Sequence, residues 1–353
     1  MDICLRGKYF GDETGNGNGG IPAGRIVRFD GQSGGGKSLL AWQVMSDCIR
    51  KGGLGCYFDI EKAITEEFAE KIDVPKEGII LIPNITTLEK VFHAALIYLM
   101  KVAELEDKPP FGVIVIDSVQ AMLTDDQLVA ESTVGDSNYG RKAKLMGEVL
   151  SKMLPYLDQL NYTLILTNQL RANVNKATKY DDDWIVPTNN AQEFFSQQII
   201  RVYKSTLIKE DKRKIGHVMR IVVKKSRYAG DGKEIKVDLV FDKGLNNEGA
   251  VLEALKAVGM VSPAGSKGNK IIVDGEEICF KAVDFPELYQ TNQTVRDWAL
   301  AQIESTYKSK ESWHVMDIDS VKQELKTIEQ EKEISKIRKI QESLAAEEAA
   351  DNA

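Results

Sequence analysis

A complete phosphate-binding motif of the form GxxxxGK[ST] constrains the fold more than any other part of this sequence. Its residues are Gly31, Gln32, Ser33, Gly34, Gly35, Gly36, Lys37 and Ser38. The apolar run 24–29 before it predicts a buried strand, and residues 39–45 after it have helical composition and spacing. Glycines in such a loop let backbone N–H groups turn toward phosphate oxygens, and the N-terminus of the following helix favours negative charge. The motif therefore predicts a nucleoside triphosphate site, in which Lys37 contacts the β- and γ-phosphates and the Ser38 hydroxyl holds Mg²⁺.

The composition narrows the class of protein. The chain has 353 residues, 43% of them hydrophobic, which is enough for one large domain or two unequal ones. It has no apolar run of about 18 residues and no signal-peptide pattern at its start, so we expect a cytoplasmic protein without a membrane partner. The four cysteines form no CxxC pair, which disfavours a zinc site and a disulfide framework. The net charge of −7 neither indicates nor excludes a nucleic-acid ligand, because local basic loops decide that question.

Apolar runs alternate with helical segments from residue 21 onward and predict an α/β core. The predicted strands are residues 24–29, 54–59, 79–82, 112–117, 163–168, 199–203, 218–223 and 235–241, with an amphipathic helix at 88–103. The runs at 112–117 and 163–168 are continuously apolar, as is typical of strands that are buried on both faces of a parallel sheet. The sequence therefore predicts a mainly parallel central sheet flanked by helices, of the doubly wound type.

Shifts in composition divide the chain into four predicted regions. These are a Gly- and Asn-rich lead-in at 1–20, the NTPase core at 21–247, a small α+β C-terminal domain at 248–312 and a charged helical tail at 313–353. The small domain is predicted from helices at 250–258 and 294–303 and a hairpin at 270–280 that turns at Asp274-Gly275. The tail is predicted to be either a solvated helix or a coiled segment that binds a partner.

Polar side chains follow three of the predicted strands at the points where those strands end. Asp117 ends one apolar run and has the position of a Walker-B carboxylate, near the metal held by Ser38. Glu61 lies two residues after the second strand, where a carboxylate is placed to orient the attacking water as a general base. Asn168-Gln169 ends another core strand, where an amide is placed to sense the γ-phosphate and pass its state to the following loop.

Seven motifs occur in one order and together resemble the RecA family of DNA recombinases. They are residues 24–27, the phosphate-binding loop, and residues 58–63, 115–119, 135–137, 168–171 and 222–227. The similarity runs from about residue 2 to residue 305, and the Lys225-Ser226-Arg227 form is most similar to phage members of the UvsX kind. The resemblance implies a RecA-type P-loop fold and a DNA-dependent ATPase that uses ATP and Mg²⁺.

The resemblance also implies roles for individual residues of the nucleotide site. It makes Glu61 the hydrolytic base and Gln169 the γ-phosphate sensor, and it places Phe68 where the family stacks an aromatic ring on adenine. Lys225 and Arg227 match cations that reach the ATP of a neighbouring subunit. Cations supplied in this way neutralise charge in the transition state, so hydrolysis is expected to depend on assembly.

Two segments, about 126–138 and 171–190, are predicted to bind single-stranded DNA. Both combine cations with an aromatic residue after a nucleotide-sensing strand, although solvated loops are the alternative when the family is left aside. The residues predicted to contact DNA are Tyr139, Arg141, Lys142, Lys144, Arg171, Val174, Lys176 and Lys179. Val174 matches an apolar residue that the family wedges between base triplets, and Trp184 is placed either to stack on a base or to anchor the loop. The negative charges of Asp181-Asp182-Asp183 disfavour simple phosphate binding by the middle of the second segment.

We therefore expect an ATP-dependent DNA recombinase that binds single- and double-stranded DNA. The resemblance implies a helical filament with ATP between subunits, helped by a loader or single-strand-binding protein, in a bacterial cytoplasm or a phage-infected host. A hexameric helicase motor and a RecA paralogue acting as a recombination mediator are the alternatives. The core begins almost at Met1, so the family's usual N-terminal polymerisation segment is expected to be missing. Thr188-Asn189 replaces a Gly pair, and Thr65 stands where an acidic residue usually contacts the base.

Overall fold

A computed structural model describes residues 20–307, apart from positions 63–64, 73, 76, 130–137, 175–181, 188–189, 228–231, 233 and 242–243. The predicted lead-in, except its last residue, and the predicted tail at 313–353 lie outside the described residues. The boundaries of the predicted domains therefore stay predictions. Within the described part of the chain, no helix is both long and apolar enough to cross a bilayer.

Nine of the strands in the described residues form one large sheet. In chain order the strands are β1 Ile26–Gly31, β2 Leu54–Asp59, β3 Ile79–Pro83, β4 Gly112–Asp117, β5 Tyr162–Gln169, β6 Arg171–Ala172, β7 Trp184–Ile185, β8 Gln198–Glu210, β9 Arg213–Ser226, β10 Glu234–Val240, β11 Gly244–Leu245, β12 Ser262–Pro263, β13 Asn269–Val273 and β14 Glu276–Phe280. The large sheet has the order β11-β10-β9-β8-β1-β5-β4-β2-β3. Strands β3, β2, β4, β5, β1 and β8 run parallel, whereas β9, β10 and β11 are added antiparallel. The predicted α/β fold with a mainly parallel sheet is confirmed.

Helices cover both faces of the parallel strands. In chain order the helices of the described residues are α1 Lys37–Arg50, α2 Glu66–Lys71, α3 Leu88–Ala103, α4 Asp125–Val129, α5 Asn138–Leu160, α6 Asn190–Phe195, α7 Asn247–Ala257, α8 Phe285–Thr291 and α9 Gln293–Tyr307, and the last three lie after the large sheet in the sequence. Successive residues of β4 point to opposite faces, so Val113 and Val115 join the core on the α1 face while Ile114 and Ile116 join the core under α3 and α5. This double burial explains why the central strands are continuously apolar in the sequence.

A third apolar cluster lies in the residues after the large sheet. It joins α7, the β13–β14 hairpin, α8 and α9 around Leu255, Phe285 and Val295, all fully buried. The hairpin turns at Asp274 and Gly275, which both have positive φ, as the sequence predicted. This part of the chain thus has a core of its own.

Strands β8 and β9 are much longer than the sequence predicted. They continue as an antiparallel hairpin that turns at Asp211 and Lys212, whose φ values are 47° and 66°. The outer half of β8 is mostly exposed, and Leu207 within it is 48% exposed. The prediction stopped at Tyr203 because the outer half contributes nothing to the core and therefore carries no apolar pattern.

Candidate nucleotide-binding site

The phosphate-binding loop connects β1 to α1 and has the backbone that the motif predicted. Gly34 and Gly36 have φ values of 61° and 101°, which a residue with a side chain rarely adopts. Helix α1 begins at Lys37, and the Lys37 ammonium donates a hydrogen bond to the carbonyl of Gln32 at 3.1 Å. The lysine side chain therefore folds back over the loop, with the N-terminus of α1 beneath it. This is the geometry of an anion-binding helix N-terminus.

The register of the sheet brings four strand ends together beside this loop. Gly31 at the end of β1 pairs with Gln169 at the end of β5, and Asp59 at the end of β2 pairs with Asp117 at the end of β4. These four strands are parallel, so their carboxyl ends meet at one edge of the sheet. A cavity of about 370 Å³ opens at this edge. Its lining includes the loop from Ser33 to Ser38 together with Glu61, Asp117 and Gln169.

Asp117 is held rigidly at the floor of this cavity. It is only 4% exposed. One carboxylate oxygen accepts a hydrogen bond from the Tyr57 hydroxyl at 2.6 Å, and the other accepts one from the Thr167 hydroxyl at 2.5 Å. Neighbouring strands thus fix the orientation of the carboxylate and leave it facing the loop.

The oxygen-rich donor set at this place fits Mg²⁺. Ser38 and Asp117 line the same cavity, one with a hydroxyl and one with a buried carboxylate. Mg²⁺ in nucleotide sites is held by one or two such oxygens together with phosphate oxygens and water. These two residues therefore have the ligand chemistry that Mg²⁺ beside a triphosphate would need, and their role as metal ligands stays a prediction.

Glu61 reaches the cavity from the segment after β2. The backbone N–H of Ile60 donates to the carbonyl of Asp117 at 2.8 Å, which fixes this segment against β4. The Ser118 hydroxyl donates to Glu61 Oε1 at 2.5 Å, and the Glu61 residue is exposed on the cavity side. A carboxylate that is exposed to solvent and anchored by one hydroxyl is placed to orient a water molecule and accept its proton.

Gln169 is held through its backbone. The Gln120 side chain accepts from the Gln169 N–H at 2.5 Å and donates to the Gln169 carbonyl at 2.8 Å. The next N–H, that of Leu170, donates to the carbonyl of Gly31 at 2.9 Å. Gln169 therefore lines the cavity at a fixed position directly before the second predicted DNA-binding segment.

Charges inside the cavity are arranged around Lys37. Burial lowers the pKa of Lys37, and the negative charges of Asp117 and Glu61 act in the opposite direction. Triphosphate oxygens would add negative charge around the ammonium and so favour its protonated form. The pocket is thus electrostatically suited to a polyanion.

Two aromatic side chains that line the cavity were missed by the sequence analysis. His217 on β9 is buried, and Phe241, directly after β10, is 47% exposed. Neither belongs to a local motif, and they reach the cavity only because β9 and β10 lie beside β8 in the sheet. Phe241 presents an aromatic ring to the cavity, whereas the family resemblance implies that role for Phe68. Phe68 lies on α2, and its side chain is outside the described residues.

The protonation of His217 predicts a pH effect on stability. Burial lowers its pKa, the charges of Lys204 and Lys214 lower it further, and a hydrogen bond with the backbone of Gly35 opposes them. Because the pKa is lower in the folded state, the unfolded chain binds the proton more tightly. The stability contributed by neutral His217 is thus present above the unfolded pKa of about 6.5 and is lost as the pH falls below it. We expect the free energy of unfolding in urea to fall between pH 7.5 and pH 5.5, and to fall less in His217→Gln. An equal loss in both proteins would contradict this role, and His93→Gln is the control.

Lys225 and Arg227 lie away from this cavity. Lys225 pairs with Ile199, which in turn pairs with Arg28, three residues before the end of β1. The rise of a strand puts that level about 10 Å from the carboxyl edge. The Arg227 N–H donates to the Gln197 carbonyl, nearer still to the opposite edge. Among the described residues that line the cavity, neither cation is present.

Comparison with known proteins places the chain in a family. The family model of the RecA N-terminal domain matches residues 7–246, which is more than half of the chain. The chain belongs to the RecA family. The protein named RecA from Wolinella succinogenes is 28% identical over 264 residues, covering 74% of this chain and 72% of that protein. The Helicobacter hepaticus RecA is 26% identical over 298 residues, covering 84% of this chain and 81% of that protein. The Bifidobacterium breve RecA is 30% identical over 250 residues, 71% of this chain but 61% of its own length.

The first segment assigned to DNA by the RecA resemblance is described only at its ends. Arg141 forms an ion pair with Asp126, and Lys144 is exposed on α5. The Lys142 ammonium has different partners, since it donates to the carbonyls of Val119 and Met122 at 3.3 and 2.6 Å. Burial lowers the Lys142 pKa. In this structure Lys142 therefore supports the turn after β4 and does not extend into solvent. The Tyr139 side chain and residues 135–137 lie outside the described residues.

The second segment assigned to DNA in this RecA-family chain begins and ends as a short hairpin, which we call the loop-2 hairpin (residues 171–187). Arg171 pairs with Ile185 and Ala172 pairs with Trp184. Arg171 is exposed, Val174 is 88% exposed and Trp184 is half-buried. Lys176, Lys179 and the Thr188-Asn189 pair lie outside the described residues. The described part thus places Val174 in solvent, where an apolar side chain is available to a ligand.

Proposed function

We propose that this RecA-family chain is an ATP-dependent DNA recombinase that assembles on single-stranded DNA and hydrolyses ATP at the interface between subunits. The observation that carries the proposal is that the predicted catalytic residues do not all lie in one cavity of the subunit. Lys37, Glu61, Asp117 and Gln169 line the cavity, whereas Lys225 lies about 10 Å or more from it along the sheet. A second copy of the chain is then needed to bring Lys225 to the nucleotide.

In the proposed mechanism the chain's own groups bind and orient the reactants. The loop amides and Lys37 hold the β- and γ-phosphates, while Glu61 orients a water molecule and takes its proton. Mg²⁺ held by Ser38 and Asp117 would supply charge neutralisation at the β- and γ-phosphates. Gln169 contacts the γ-phosphate. Because Gln169 lies just before the loop-2 hairpin, loss of this contact when the phosphate leaves changes the conformation of the hairpin.

The finer parts of the proposal follow the sequence motifs. Lys225-Ser226-Arg227 supports a subtype of the UvsX kind and a phage-infected bacterial cytoplasm as the place of action. The basic and apolar residues of the two DNA segments support single-stranded DNA as the ligand, with double-stranded DNA as the second substrate of strand exchange. A loader or single-strand-binding protein is proposed as the accessory partner.

Electron microscopy tests the assembly. The protein is imaged with long single-stranded DNA and a slowly hydrolysed ATP analogue, with a nucleotide-free sample as control. We expect continuous helical filaments that are lost without nucleotide. Closed rings would instead support a hexameric helicase motor, and isolated particles would support a recombination mediator; either result would reject the filament.

A further inference from the structure

A second cavity, of about 710 Å³, lies beneath the base of the loop-2 hairpin. Its walls come from β1, β8 and β9 on one side and from the hairpin and α6 on the other. Four cations line it, namely Arg28, Arg201, Lys224 and Lys225, against two carboxylates, Asp182 and Glu193. The cavity is therefore a cationic chamber outside the nucleotide site.

Two of these cations are buried arginines with unused hydrogen-bond donors. Arg28 is 2% exposed and binds Asp30 through NH2 at 2.7 Å, but its Nε and NH1 have no partner among the described residues. Arg201 is 8% exposed, and its Nε likewise has no partner in the described part of the chain. Buried charged donors without acceptors are costly. Both arginines line the chamber, so an oxyanion there would place negative charge beside two guanidinium groups that are short of acceptors.

Asp182 of the loop-2 hairpin already supplies part of this negative charge. One of its carboxylate oxygens lies 2.9 Å from the Lys224 ammonium, and the other lies 3.2 Å from Arg201 NH1. Burial acts to raise the Asp182 pKa, but the hydrogen bonds and charges of Lys224 and Arg201 outweigh it and lower the pKa. Asp182 is exposed, so it can leave these cations without breaking a core contact. It occupies the place that an external anion would take.

We propose that the chamber binds a phosphate oxyanion through Arg28, Arg201 and Lys224, and that Asp182 is the internal competitor which the phosphate displaces. Phosphate matches the planar donor geometry of the two guanidinium groups. A phosphodiester of a DNA strand and a phosphate of a nucleotide are the two sources of this chemistry. Assignment of the phosphate to DNA rests on the proposed function, in which the loop-2 hairpin that lines the chamber binds DNA.

Separate neutralisation of the two members of the Asp182–Lys224 ion pair tests the proposal. Asp182→Asn removes the competitor and Lys224→Gln removes a cation that would bind the phosphate. Glu253→Gln makes the same charge change as Asp182→Asn at an exposed ion pair on α7. The probe is a fluorescein-labelled oligothymidylate, titrated by anisotropy with a slowly hydrolysed ATP analogue at several salt concentrations. We expect Asp182→Asn to bind about fivefold more tightly and Lys224→Gln about fivefold more weakly, with Glu253→Gln unchanged. The logarithmic salt slope should steepen by about 0.7 in Asp182→Asn.

A second titration, with a fluorescent ATP analogue and no DNA, separates the two sources of phosphate. If Asp182→Asn binds the oligothymidylate more tightly and Lys224→Gln binds it more weakly, the chamber binds the DNA backbone. If the affinities for the ATP analogue shift in these opposite directions instead, the chamber binds nucleotide phosphate. If both variants weaken binding of both probes, Asp182 is only a tether for the hairpin and the proposal is wrong. It is also wrong if Asp182→Asn behaves like Glu253→Gln. If the wild-type protein binds no oligothymidylate, the proposed function fails, and the nucleotide titration still decides the chamber.

Discussion

Glu61→Gln should reduce ATP hydrolysis in the presence of single-stranded DNA by about 100-fold or more. Glutamine keeps the shape of the side chain and its contact with the Ser118 hydroxyl, but it cannot accept a proton from water. The binding of nucleotide and of DNA should stay within about twofold of wild type, because the loop, Lys37 and Asp117 are unchanged. Phosphate release measures the turnover, and DNA anisotropy measures the assembly.

The matched control for Glu61→Gln is Glu104→Gln. Glu104 pairs with Lys101 on the exposed surface after α3, so the same chemical change is made outside the cavity. Turnover at the wild-type rate in Glu61→Gln would remove Glu61 from the mechanism. A loss of DNA binding together with turnover would instead make Glu61 a structural residue of the site.

Lys225→Ala should abolish DNA-stimulated turnover, with an expected loss of about 100-fold or more. Unassembled subunits should bind nucleotide as the wild type does, because Lys225 is absent from the described lining of their own cavity. Steady-state hydrolysis with DNA and analogue binding without DNA measure the two quantities. Lys256→Ala, at an exposed pair on α7, is the control.

A mixture of two inactive variants tests whether Lys225 acts on a neighbouring subunit. A Lys225→Ala subunit keeps an intact Glu61, and a Glu61→Gln subunit keeps an intact Lys225. In a randomly mixed head-to-tail assembly, about a quarter of the interfaces combine both intact residues. Turnover should therefore return to roughly a quarter of the wild-type rate. A mixture as inactive as its two components would place Lys225 and Glu61 outside a shared site.

The sequence was sufficient to locate the strand ends that build the nucleotide site. Gly31, Asp117 and Gln169 could be placed because each lies at or directly after the end of a predicted strand, and the carboxyl ends of parallel strands share an edge. Their partners could not be placed in the same way. Tyr57 and Thr167 look like ordinary strand residues, and only the register of β2, β4 and β5 brings their hydroxyls to Asp117.

The residues that sequence reasoning missed depend on strand order. His217 lies far from the phosphate-binding loop along the chain, and no motif surrounds it. Arg28 and Asp30 are a different case, since they were read as part of, or next to, an apolar strand. Both are almost fully buried, and they pair with each other at 2.7 Å. A buried ion pair of this kind leaves no periodic signal, because its members lie where apolar residues would also fit.

The distance of about 10 Å along the sheet between Lys225 and the edge that carries the phosphate-binding loop has a kinetic consequence. Each subunit has one nucleotide site that needs a cation from a neighbour and one surface that supplies Lys225, so an open assembly leaves one incomplete catalytic site at its end. Activity per subunit should then rise with chain length and level off in long assemblies, where the idle terminal site becomes a negligible fraction. Short DNA strands would thus limit the rate by their length alone, without any change in affinity.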